Sequence, residues 1–168
     1  IDDQLAESRY KETARKILHS GHLFGTGILK APLVERKTRL TVIGKAPNRT
    51  AHEVTAVIVK RLMPLASQVK TLTYDNGKEF AGHIQIDQAL NSTSYFARPF
   101  ASWERGSNEN FNGLLRQYVP KKRSLNTVTE DEITMIQNRL NNRPRKRLGF
   151  KTPAEVFNQS LKRVALRT

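Results

Sequence analysis

Cysteine is absent from the 168 residues, which excludes disulfides, thiolate zinc sites and cysteine nucleophiles. No apolar run approaches the roughly 20 residues of a membrane span, and the N-terminal IDDQLAESRYKETARK lacks the apolar core of a secretory signal. A cytoplasmic location is the expectation. Acidic residues are scarce: 15 Asp and Glu stand against 29 Lys and Arg, a formal charge of +14 with a pI near 10.5. The scarcity is local as well as global, since the stretch from Thr13 to Val34 holds no Asp or Glu at all. Such a balance points to a polyanionic partner, nucleic acid first. Many basic proteins have no enzymatic role, so charge alone does not choose between a binder and an enzyme.

What is present suits one compact domain of mixed α/β class, with 38% hydrophobic residues to build its core. Residues 3–18 have weakly amphipathic helical spacing, and the Gly-rich SGHLFGTGILKAP reads as a loop or broken strand. Leu33-Val34 and Arg39 to Ile43 flank the polar ERKT as a hairpin. Thr50 caps a helix carrying Val54, Val57, Ile58, Leu62 and Leu65, with Pro64 near its end. A β-rich run from Val69 to Tyr74 stops at Asp75-Asn76-Gly77, helical material spans Phe80 to Leu90, and a short strand covers Ser94 to Ala97. Asn108 to Tyr118 is helical, with Phe111, Leu114, Leu115 and Tyr118 on one side and Glu109, Asn112 and Arg116 opposite. Thr129-Glu-Asp-Glu reads as a capping box opening a further helix, and Thr152-Pro153 opens a last short one.

Two carboxylates stand in suggestive places: Asp75 at a strand end and Glu109 on the polar face of a helix, with 33 residues between them. Two-metal phosphodiester chemistry needs hard oxygen ligands on rigid supports, and these are such supports. An Asp before Asn-Gly is also an ordinary turn former, and a Glu on a polar helix face is usually only solvated. The neighbourhood tips the balance toward nucleic acid: Arg105, Asn108, Asn112 and Arg116 surround Glu109, and Lys121, Lys122 and Arg123 follow it. Farther on, Arg143, Arg145, Lys146 and Arg147 form a second basic run. The four histidines make no convincing ligand pair; His19 and His22 share a loop reading.

The motifs LVERKTRL, TYDNGKEFAGH, YFARPFASWERGSNENFNGLLRQYVPKK and LNNRPRKRLGFKTPAEVF together resemble the catalytic core of bacterial insertion-sequence transposases of the insertion-sequence-thirty type, across residues 31–157. The resemblance implies a ribonuclease-H-like, retroviral-integrase-like fold, a mixed sheet flanked by helices. It also implies DNA cleavage and joining by an Asp, Asp, Glu triad with Mg²⁺ or Mn²⁺, with DNA ends and target DNA as partners and a homo-oligomer to pair the ends. By position, Asp75 resembles the second triad Asp and Glu109 the triad Glu, both as catalytic residues and metal ligands. The first Asp of the family falls where this chain has Gly21-His22-Leu23-Phe24-Gly25-Thr26, so the first strand is expected to be damaged and activity impaired. A non-catalytic DNA-binding remnant is the alternative. The expected layout is a remnant helix over 1–20, too short for the family's N-terminal DNA-addressing region, the core over 21–157, and a basic tail over 158–168.

Overall fold

The computed structural model describes residues 17–20, 29–48, 50–74, 76–96, 113–120, 122–123 and 127–165. Five strands form one sheet: β1 (Ile17–Ser20), β2 (Leu29–Glu35), β3 (Thr41–Lys45), β4 (Thr71–Tyr74) and β5 (Thr93–Phe96), in the order β3-β2-β1-β4-β5. β1, β2 and β3 run as an antiparallel meander, whereas β4 and β5 lie parallel to β1 and to each other. The helices are α1 (Ala51–Leu62), α2 (His83–Leu90), α3 (Glu130–Asn141) and α4 (Pro153–Ala165).

The hairpin forms where β-branched and apolar residues predict it, and its turn is built by one side chain. Glu35 accepts from the backbone N–H of Lys37 at 3.0 Å and from both N–H and Oγ1 of Thr38 at 2.5 Å. Arg39 then takes a left-handed conformation (φ 64°) and Leu40 closes the turn onto Glu35 at 2.7 Å. Alternation along these strands splits the core into two layers. Leu33 and Val42 face α1 and α2 with Val54, Ile58, Leu62, Leu72 and Ile86, while Val34 and Ile43 face α3 with Leu115, Val128, Ile133, Ile136 and Leu140. Gly44 marks a close approach of β3 to α1, since a Cβ there would come within 2.3 Å of Val57 Cγ1.

Capping residues act as their sequence positions require. Thr50 Oγ1 accepts from Glu53 N–H at 3.3 Å, and Thr129 and Glu132 form a complete capping box on α3. Thr152 and Glu155 make the same reciprocal pair at the start of α4, at 3.2 and 2.7 Å. Pro64 does not simply end α1; it sits in a 3₁₀ stretch, Met63–Gln68, that leads into β4. Asp87 ties α2 to β5 by accepting from Ser92 Oγ, Ser94 Oγ and Ser94 N–H at 2.8–2.9 Å.

The expectation for the N-terminal segment needs correction. Residues 17–20, expected within the remnant helix, belong to β1, because Leu18 and His19 are paired with both β2 and β4, Ile17 with β4 and Ser20 with β2. The rest of the expected remnant helix lies outside the described residues. A first strand is therefore present over Ile17–Ser20, and the Gly-rich segment, expected as a loop or broken strand, contributes Leu29 to Pro32 to β2, with a register irregularity between Leu29 and Ala31. The basic tail expected from 158 is helical as far as Ala165, the end of α4. Among the described residues no helix is long and apolar enough to cross a membrane.

Candidate functional site

Because β1 and β4 are parallel neighbours, their C-terminal ends open at the same end of the sheet. β4 ends at Tyr74, one residue before position 75. Asp75 itself, Glu109, and the expected DNA contacts Arg105, Asn108, Asn112 and Lys121 lie outside the described residues. Tyr74 anchors the strand end: its side chain is buried and its ring stacks on Phe80 with centroids 4.7 Å apart. Burial pushes its phenol well above the usual range, the Asp87 carboxylate acts in the same direction, and a contact with Ser94 opposes them. Across the sheet, Leu18 stands in register with Leu72 and His19 with Thr73. Among the described residues no three His, Asp or Glu side chains come together as metal ligands would.

The described basic candidates divide by what already holds them. Arg123 is engaged, donating from Nη2 to both carboxylate oxygens of Glu132 at 2.9 Å. Lys122 is exposed, and Arg116 is half-buried in the turn after the short helix at 113–115. That helix packs Leu115 into the α3 layer, with Leu114 and Tyr118 against it, as the expected apolar stripe requires; Phe111 lies outside the described residues. Arg143 donates to Gln117 Oε1 at 3.0 Å, and Arg145 donates to the Leu140 carbonyl at 3.2 Å. Lys146 and Arg147 are exposed in a 3₁₀ turn that ends at Gly149.

Two groups are not among the site residues expected from the motifs. The hairpin turn, expected as a polar stretch, brings Arg36, Lys37 and Arg39 together. Phe150 falls within a family motif, and its side chain is 71% exposed with a left-handed backbone (φ 63°). The run of three cations within four residues was a usable signal for the first; nothing in the sequence flagged the second.

A mixed five-stranded sheet with an antiparallel meander on one side and parallel strands on the other, covered by helices on both faces, is the architecture of an integrase catalytic core. The chain superposes on the crystal structure of the catalytic core domain of BIV integrase with a TM-score of 0.63, covering 90% of this chain and 99% of that one, at 20% identity. In sequence it is 48% identical over 125 residues to the transposase for insertion sequence element IS4351 of Bacteroides fragilis. It is 40% identical over 132 residues to transposase InsI for insertion sequence element IS30A of Escherichia coli (strain K12). The chain belongs to the IS30 family of insertion-sequence transposases, as its motifs lead one to expect. The alignments take in 74% and 78% of this chain but only 38% and 34% of those relatives, so it spans little more than a third of their length. No family model matches it.

Proposed function

We propose that this chain is a transposase core that holds DNA on its basic surface and in which metal-dependent strand cleavage and joining are impaired for want of a first carboxylate. Asp75 and Glu109 are the retained carboxylates that would hold Mg²⁺ or Mn²⁺, which would supply activation of the attacking oxygen and stabilisation of the leaving oxygen at the scissile phosphodiester. The observation that carries it is the pairing of β1 beside β4, combined with the absence of any acidic residue from Thr13 to Val34. The strand that neighbours the approach to position 75 therefore offers no carboxylate. Two hard-oxygen ligands do not match the set that clamps two divalent ions, so the residues present fall short of the two-metal site.

DNA binding does not depend on that deficit. The formal charge of +14 and the exposed Lys122, Lys146 and Arg147 support phosphate contacts, whereas Arg123 is already held by Glu132. The test is a nicking and strand-joining assay on plasmid and short duplex DNA with Mg²⁺ or Mn²⁺, run beside Asp75→Ala and Glu109→Ala variants. The expected result is activity no greater than that of the variants, with salt-sensitive duplex binding intact. Metal-dependent cleavage clearly above both variants would overturn the impairment, and absence of DNA binding would overturn the rest.

A further inference from the structure

The cations of the hairpin turn and those of the loop after α3 are about 100 residues apart in sequence but meet at one end of the sheet. β2 is antiparallel to β1, so the turn at 36–40 lies where β1 and β4 begin, opposite to the end where β4 stops before position 75. Asn141 brings the loop there: its side chain accepts from Thr41 N–H and donates to Thr41 C=O, both at 2.8 Å. The loop is closed on itself by Arg145 N–H to Lys151 C=O and Phe150 N–H to Arg145 C=O, both at 3.0 Å. Segments 35–39 and 143–151 together carry eight Lys and Arg and a single carboxylate, Glu35. That carboxylate is taken up by the turn's own N–H groups and the Thr38 hydroxyl.

Arg39 and Arg145 are half-buried, and burial first, then neighbouring guanidinium groups, lowers the pKa of each; Glu35 opposes this at Arg39. Arg147 presses on Arg39, while Arg143 and Arg39 press on Arg145. Among the described residues, the buried Arg145 Nε has no hydrogen-bond partner. Concentrated like charge of this kind is relieved by an anion. Beside it, Phe150 combines wide exposure with a backbone conformation that is strained for an aromatic residue, a combination that stability alone does not favour. Phosphates and an apolar flat face are what duplex DNA offers together, whereas an acidic protein segment would give the ring no stacking partner.

We propose that the hairpin turn and the loop at 143–151 form a single DNA-docking surface, in which Arg36, Arg39, Arg143 and Arg147 hold backbone phosphates and the Phe150 ring contacts a base step. The inference rests on the DNA-binding part of the reading above, and it separates gripping from cutting: DNA held here lies at the far end of the sheet from the end of β4.

The test is equilibrium binding of a short labelled duplex by the full chain across a salt series. Arg36→Ala/Arg147→Ala removes two exposed cations from this surface, and Lys60→Ala/Lys70→Ala removes two exposed cations from α1 and from the approach to β4. The first pair is expected to flatten the slope of log affinity against log salt by about 1.8, and the second to leave it nearly unchanged. Phe150→Gly is expected to weaken binding roughly fivefold or more without altering that slope, and without lowering the melting temperature, because glycine adopts positive φ freely. Wild-type binding with an unchanged slope in Arg36→Ala/Arg147→Ala, or an equal loss in both pairs, would overturn this surface alone. Unchanged affinity in Phe150→Gly would overturn the role of the ring. Failure of the wild type to bind duplex DNA in any salt would overturn both this inference and the DNA-binding reading beneath it.

Discussion

At the scale of single residues, Asn141 carries more of the architecture than its type suggests. β3 is an edge strand, and an open edge leaves N–H and C=O groups without ladder partners. Asn141 satisfies both groups of Thr41, and Gln137, one turn earlier on α3, accepts from Ile43 N–H at 2.8 Å. α3 thus seals the edge with two side chains at helical spacing. Asn141→Ala leaves a donor and an acceptor unpaired in a buried place, and should cost about 2–4 kcal/mol of stability in urea unfolding. A loss under about 1 kcal/mol would mean that water replaces the amide without penalty. Asn142→Ala is the control, because that exposed side chain only donates back to Asn138 C=O at 2.9 Å. In the sequence the two asparagines of LNNRPRKR look alike; which one is buried is decided by a strand 100 residues away.

At the scale of elements, local signals were legible and non-local ones were not. The caps at Thr50, Thr129 and Thr152 depend on side chains within three residues, so each could be read directly. β1 could not, because four residues of no special periodicity become a strand only through β2 and β4 on either side. For the same reason the clustering of hairpin and loop cations needed the fold. The capping box on α3 also has a pH signature. Glu132 is held below the usual carboxylate range first by its hydrogen bond to Thr129 N–H, and next by its bond to Arg123. A carboxyl group whose folded pKa is depressed contributes stability above its unfolded pKa, and that contribution is lost as pH falls through the folded value. The expected outcome is that Glu132→Gln lowers the melting temperature at pH 6 and has a much smaller effect near pH 3. A difference that stays constant between those values would show that the charge on Glu132 is not what holds the cap.

At the scale of the whole molecule, the excess of positive charge acts on stability as well as on binding. A chain with a formal charge of +14 repels itself when folded, and ion pairs such as Arg61–Glu130 and Arg123–Glu132 offset that repulsion locally. The cations are concentrated rather than spread, since eight of them lie in the turn and loop segments beyond the start of β1 and β4. Salt shortens the range of that repulsion to about 10 Å at 0.1 M and about 3 Å at 1 M, so the free protein should become more stable as salt rises. Bound DNA works in the opposite sense. It stabilises the folded state by mass action at low salt, and that stabilisation fades as counterions compete for the phosphates. Thermal melts across a salt series should therefore give two lines, rising for the protein alone and falling for the protein with excess duplex, that converge at high salt. If the free protein instead melted lower as salt increased, favourable ion pairs would outweigh the like-charge repulsion inferred from the turn and loop, and the concentration of cations there would be a balanced surface rather than one that an anion completes.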